Sequence, residues 1–369
     1  MRIGVCVRTW GERGGIGVYT RSIVKSLVES DRENEYCLFY ADPAYLGTFA
    51  HAENVKELHV SARGKWMWDQ WAVVSHARRE NVDVLFHTKF AIPLLAKCKT
   101  AMVLHGTERF VFPQHYPLGD VLFFKTVYPQ YLKRASLILA VSNRARTDVI
   151  EKMNIDPERV RVAYLAADPA FRVIRDPALL ASVRERYRLP ERFLLSVGHV
   201  YPGKNVGRLL GAFAKLRREA DIQLVIAGSP RWKYRNDLDL IDRLGLREHV
   251  VLAGHVGQDD LVAFYNLAEA VVFPSHYESF GLINVEANAC GCPLLTSRTG
   301  GSPEAAGDAA VFVDPMNEDD IFAGMSRILS DESLRRDLIE KGFANAKRFS
   351  WERTASETLS ALSWVAARG

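Results

Sequence analysis

Cysteine is scarce in this chain: 369 residues hold five, Cys6, Cys37, Cys98, Cys290 and Cys292, with no C-x-x-C and no histidine pair at metal-ligand spacing. That argues against a disulfide framework, a zinc site and a dithiol centre. Cys290 and Cys292 flank Gly291 in an apolar stretch and read as small hydrophobes. Long apolar runs are missing as well, and no stretch approaches the roughly twenty residues of a membrane-spanning helix. The opening Met1-Arg2-Ile3-Gly4-Val5-Cys6-Val7 ends at Arg8 and reads as a buried strand rather than a secretory leader. Charge of one sign is not in excess: 48 basic residues against 44 acidic leave a net +4. Nucleic-acid binders concentrate basic residues far more strongly. A small anionic ligand is compatible with this balance, as is contact with an anionic membrane surface. The expectation is a cytoplasmic protein, with peripheral attachment to the inner face of a membrane as an option.

What is present is ample apolar material, 48% of residues, in a length that suits two domains better than one. Short β-rich runs alternate with helical stretches, the pattern of parallel α/β architecture. In the first half the strand candidates are Ile3–Val7, Val55–Val60, Val82–Phe86, Ala101–Leu104 and Leu137–Val141. In the second they are Phe193–Val197, Leu224–Ala227, Val250–Leu252, Ala270–Phe273, Pro293–Thr296 and Val311–Val313. Val206, Leu209, Leu210, Phe213 and Leu216 recur at helical spacing, and Ser142 is placed to cap a helix starting near Asn143. The scheme therefore runs twice, giving two doubly wound Rossmann-like domains that face a cleft. The polar stretch Asp168 to Pro190, punctuated by Pro169 and Pro177, holds the boundary. The expected division is 1–172 and 173–350, with a C-terminal helix, 351–369, returning to the first domain through Leu359, Leu362, Trp364 and Val365.

Each half opens with a strand, a glycine-containing loop and a helix. The first loop is Gly11-Glu12-Arg13-Gly14-Gly15-Ile16-Gly17, the second Gly198-His199-Val200-Tyr201-Pro202-Gly203-Lys204-Asn205. Such loops let backbone N–H groups approach an anion at a helix N-terminus. Neither has the G-K-[ST] of a Walker loop or the G-x-G-x-x-G of a dinucleotide fold, and each taken alone reads equally well as a tight turn. Lys204, where the second loop meets its helix, can act as a point charge on a diphosphate. Beyond the strand Ala270–Phe273, Glu278 and Glu286 are separated by seven residues, Glu278 in a loop and Glu286 two turns into an apolar helix. A buried carboxylate there needs partners: ligand hydroxyls, or a structural ion pair.

The stretch Phe273 to Thr296 closely resembles the signature of retaining glycosyltransferase family four. So do Ala140-Val141-Ser142-Asn143, Asp168-Pro169-Ala170-Phe171, Gly300-Gly301-Ser302-Pro303-Glu304 and Phe349-Ser350-Trp351-Glu352. Trp68-Asp69-Gln70, Val103-Leu104-His105-Gly106 and Phe112-Pro113-Gln114 resemble its bacterial mannosyltransferase-like branch. The resemblance spans nearly the whole chain and implies the GT-B fold, with an acceptor-side first domain and a nucleotide-sugar-binding second domain. It implies that Glu286 binds ribose hydroxyls, Glu278 the transferred sugar and Lys204 the diphosphate, with backbone N–H groups at Gly281-Leu282 and Gly300-Gly301. His105 would lie at the reacting centre as an orienting group, and the loop through Gly15 and Gly17 would close over the donor. Retention of configuration and independence of metal follow from the same source. Asp237-Leu238-Asp239 has metal-like spacing but reads as a helix start.

The donor is read as GDP-mannose. Ala227-Gly228-Ser229-Pro230-Arg231-Trp232 resembles a loop of the mannosyltransferase-like branch, and Ser229, His255 and Val256 fall at the expected nucleotide edge. UDP- or dTDP-sugar donors, a sugar-nucleotide epimerase of the same fold and a non-catalytic nucleotide-sugar binder are the alternatives. Two positions depart from the family pattern. His199 and Gly203 stand where relatives carry an Arg near the diphosphate Lys, which leaves Arg208 or Arg231 as substitutes, and Gly106 follows His105 where Asp is common. The acceptor, a carbohydrate or lipid-linked carbohydrate, is poorly encoded. Arg63-Gly64-Lys65-Trp66-Met67-Trp68 and Phe123-Phe124-Lys125 can stack on sugar or touch a headgroup layer, though most of these aromatics fit core packing.

Overall fold

A computed structural model describes residues 1–12 and 14–368. Arg13, in the first glycine-containing loop, and Gly369, at the end of the expected last helix, lie outside the described residues. The first sheet comprises β1 (Arg2–Cys6), β2 (Glu35–Tyr40), β3 (Val55–His59), β4 (Val84–His87), β5 (Lys99–Leu104), β6 (Leu137–Ala140) and β7 (Val160–Val162). All pairings are parallel, in the order β3-β2-β1-β4-β5-β6-β7. The second comprises β8 (Phe193–Val197), β9 (Gln223–Ala227), β10 (Val250–Gly254), β11 (Ala270–Phe273), β12 (Leu294–Ser297) and β13 (Val311–Val313). It too is parallel throughout, in the order β10-β9-β8-β11-β12-β13.

Two strands were not expected from the sequence. β2 is an unalternating run, Glu-Tyr-Cys-Leu-Phe-Tyr, whose last five residues are all buried. A strand covered by helices on both faces shows no period of two, so its pattern carries no strand signal. β7 is a three-residue edge strand with one exposed position, too short to have a pattern.

The second sheet shows how sequence becomes packing. Leu194 and Val272 point into one core with Leu209, Phe213 and Ile321, while Leu195 and Val271 point into the other with Phe264, Ala287 and Leu294. Helix Val206–Leu216 buries Val206, Leu209, Leu210, Ala212, Phe213 and Leu216, one continuous stripe, against the first of these cores. Fully burying side chains of this size contributes about 1.5–3 kcal/mol each before conformational entropy is subtracted.

The chain divides into two compact domains, one of residues 1–111, 118–165 and 350–369, the other of 112–117 and 166–349. The break thus falls after Leu165 rather than at 172, because Phe171 is part of a second-domain core and stacks edge-on with Tyr265. The Ile174 N–H is held by Asn266 Oδ1 at 2.8 Å. The short segment Phe112–Pro117 also belongs to the second domain: its carbonyls accept from Trp232 Nε1 (2.8 Å, His115) and Lys233 Nζ (2.7 Å, Gln114). Helix Trp351–Ala367 packs on helix Gly15–Ser30 of the first domain, with Trp351 against Tyr19 and the Thr354 hydroxyl on the Tyr164 carbonyl at 2.6 Å. Leu362 and Val365 are buried there, while Trp364 is partly exposed beneath the guanidinium groups of Arg161 and Arg368. No helix among the described residues is long and apolar enough to cross a membrane.

Candidate functional site

In the second domain strand order reverses between β8 and β11, and ligands of open α/β sheets bind beyond the carboxyl ends of strands at such a point. The β8 loop carries Lys204 and the β11 loop Glu278, so neighbouring strands deliver both. Asn205 ties the loops together: its amide donates to the carbonyls of Pro274 (2.9 Å) and Pro315 (2.7 Å). The His276 N–H donates to the Gly203 carbonyl at 3.0 Å, and the Gly301 N–H to the Glu278 carbonyl at 2.7 Å. On this frame Lys204 Nζ donates to Glu278 Oε1 at 2.7 Å, with only 16% and 12% of the two side chains exposed. The ammonium also lies 4.8 Å from the centre of the Phe273 ring.

Gly281 opens helix Leu282–Ala289, and Glu286 sits on its buried side. One of its oxygens is taken by a tyrosine: Tyr265 Oη donates to Glu286 Oε2 at 2.7 Å. Burial raises the Glu286 carboxyl to about 7, with Asp168 adding to the rise and the Tyr265 hydrogen bond opposing it. Tyr265 was not singled out from the sequence, although a buried tyrosine hydroxyl itself requires a partner. At the ends of β9 and β10, the Ser229 carbonyl accepts from Val200 N–H, His255 is exposed, and the side chain of Val256 packs into the core. Contact with a ligand at Val256 would be through its backbone.

In the first domain β1 and β4 mark the corresponding reversal. Three threonines lock the loops there: Thr20 Oγ1 lies 2.7 Å from Thr9 Oγ1 and donates to Thr88 Oγ1 at 2.9 Å, and Thr88 donates to the Cys6 carbonyl at 3.0 Å. A Cβ on Gly17 would lie 1.8 Å from the Glu12 carbonyl oxygen, so the loop folds back on its helix only with glycine there, whereas Gly15 faces open space. His105 follows β5. Its Nε2–H donates to the Thr88 carbonyl at 2.7 Å, its ring meets Tyr19 edge-on, and burial pushes its pKa down to about 4. The imidazole is therefore neutral at physiological pH with Nε2 committed, which suits an orienting group. Glu12 and Lys89 pair at 3.2 Å beside it. Trp68, Asp69 and Gln70 are structural fasteners: to the Val60 carbonyl, to Arg8 through both carboxylate oxygens at 3.0 Å, and to the Ile92 carbonyl respectively.

Comparison with solved structures places both domains in one fold class. Sucrose-phosphate synthase from Thermosynechococcus elongatus superposes with a TM-score of 0.79 over the whole of both chains at 18% identity. Anabaena HepE in complex with UDP and glucose gives 0.77 over 99% of this chain and 100% of that one, at 19% identity. These define the GT-B architecture. Residues 13–171 match Glycosyltransferase Family 4, and residues 183–344 match Glycosyl transferases group 1. The O-antigen chain mannosyltransferase B of Escherichia coli is 30% identical over 366 residues, 94% of this chain and 95% of that protein. The serotype-specific mannosyltransferase WbdA of Escherichia coli is 34% identical over 266 residues, 70% of this chain but 32% of that one. The chain belongs to glycosyltransferase family 4 and is an enzyme of glycosyl transfer.

Proposed function

We propose that the enzyme transfers mannose from GDP-mannose to a glycan or lipid-linked glycan, with retention of configuration and without a metal ion. The carrying observation is the Lys204–Glu278 pair at the strand reversal, with Glu286 on the helix that follows the same loop, in a chain whose full-length relative bears the name mannosyltransferase. Lys204 and backbone N–H groups about Gly281-Leu282 and Gly300 offset charge developing on the departing nucleoside diphosphate, while the Gly301 N–H stays on the Glu278 carbonyl. Glu286 takes the ribose hydroxyls and Glu278 the hydroxyls of the sugar. The acceptor hydroxyl oxygen bonds to the anomeric carbon on the face the diphosphate leaves. The bond from that carbon to the phosphate oxygen breaks, and the acceptor proton passes to the departing phosphate. His105 orients a reacting group on the acceptor side.

For the acceptor, a groove of about 500 Å³ in the first domain is lined by Arg8, Glu12, Tyr45, Lys65 and Trp68, which suits sugar hydroxyls and a stacking face. Exposed Trp66 and Trp71, with exposed Arg63 and Lys65 in the same stretch of chain, support peripheral contact with an anionic membrane. The test is GDP release from GDP-mannose that depends on added glycan acceptor, with the product's anomeric configuration read by NMR. Acceptor-independent conversion of the nucleotide sugar, or no GDP release with any acceptor, refutes the reading.

A further inference from the structure

The Lys204 ammonium is already compensated by Glu278, whereas a diphosphate carries more than one negative charge and gains another as its bond to the sugar breaks. A second cation at this edge is therefore called for on electrostatic grounds. The β8 and β9 loops are zipped together past the ends of their strands. Gly198 N–H donates to the Ala227 carbonyl (2.9 Å), Val200 N–H to Ser229 (3.1 Å) and Arg231 N–H to the Val200 carbonyl (3.0 Å). The approach is so close that a Cβ on Gly228 would lie 1.9 Å from the Gly198 carbonyl oxygen. This ladder brings the side chains of His199 and Arg231 together. His199 Nδ1 faces the Ser229 carbonyl at 3.3 Å and so carries the ring proton; Nε2 is then a lone pair, and Arg231 Nη2 donates to it at 3.2 Å. On the other side of the same loop, the position of a Gly198 Cβ is 3.5 Å from Lys204 Cε. Lys204 and His255 are the other charged or titratable groups acting on His199.

We propose that Arg231, aimed by a neutral His199, is the second cation for the donor's diphosphate, an inference that rests on the nucleotide-sugar reading above. Arg231 is exposed and so open to a ligand, and its planar fork can bridge two phosphate oxygens as an ammonium cannot. His199 is the positioning residue: it touches the guanidinium, not the phosphate. The pair explains how this chain can dispense with an arginine at position 199 itself.

The experiment is titration calorimetry of the full chain with GDP and GMP, comparing wild type with Arg231→Gln, His199→Phe, His199→Gln and Lys204→Ala. Arg231→Gln is expected to weaken GDP roughly ten- to a hundred-fold, the range for a lost hydrogen bond to a charged group, and GMP much less. His199→Phe should do the same. His199→Gln, which keeps an acceptor near the Nε2 position, should restore most of the GDP affinity, a rescue that general loop damage does not give. Wild-type GDP affinity in Arg231→Gln, with the Lys204→Ala variant impaired, overturns the role of Arg231 and leaves the donor reading standing. Failure of wild type to bind GDP at all overturns both.

Discussion

Lys204 Nζ and Glu278 Oε1 hold each other at 2.7 Å, so the residue assigned to the diphosphate and the residue assigned to the sugar are joined in one ion pair. Donor binding must then share or exchange that pair, and the two variants should diverge. Lys204→Ala removes a charged hydrogen bond, costing roughly 1.5–3 kcal/mol, and strands a mostly buried carboxylate. Because charge on the leaving group grows in the transition state, the loss should appear in kcat as well as KM. Glu278→Gln frees the ammonium: GDP binding should strengthen a few-fold while turnover falls by about ten-fold or more. Calorimetry with GDP beside steady-state kinetics decides it, and weaker GDP binding in Glu278→Gln would contradict the shared-pair account.

Glu286 makes stability depend on pH. Its carboxyl lies at about 7 in the fold, above the ordinary 4.5, because it is buried. The folded protein therefore holds the proton more tightly than the unfolded chain. The stabilisation is complete below about 4.5 and is lost as pH rises to about 7, a change of roughly 3 kcal/mol. Glu286→Gln should abolish this decline. Urea midpoints at pH 5 and pH 8 that fall equally in wild type and variant would show that Glu286 does not titrate there. The same substitution should weaken GDP and GDP-mannose alike, since both carry the ribose.

The strand-end loops of the candidate site were readable from the sequence because they follow apolar strands and resemble a family's motifs. Lys204, Glu278 and Glu286 stand out as charges beside apolar strands and helices. The Glu286–Tyr265 and His199–Arg231 contacts do not, since they join residues 21 and 32 positions apart through packing and through a backbone ladder. Phe112–Pro117 was unreadable as part of the second domain because its ties, the His115 carbonyl on Trp232 and the rings of His115 and Tyr116 against His276 and Trp232, join residues far apart in the chain.

Helix Trp351–Ala367 should be a stability element of the first domain. Leu362 is fully buried in it, and Leu362→Ala should cost about 2–5 kcal/mol, the range for such truncations. A lowered urea midpoint with unaltered GDP affinity is expected; weakened GDP binding in the folded variant would link the helix to the donor site instead.

Glycosyl transfer should persist in EDTA if, as proposed, Lys204, Arg231 and backbone N–H groups supply the positive charge. Loss of turnover on chelation, restored by Mg²⁺ or Mn²⁺, would show that a metal does this work.

The donor assignment is most directly tested by a thermal-shift comparison of GDP, GDP-mannose, UDP and UDP-glucose at equal concentration, since selective binding to the folded state raises Tm by mass action. GDP and GDP-mannose are predicted to raise Tm and the uridine nucleotides to raise it little. A rise with UDP and UDP-glucose and none with the guanine nucleotides would contradict mannosyl transfer from GDP-mannose.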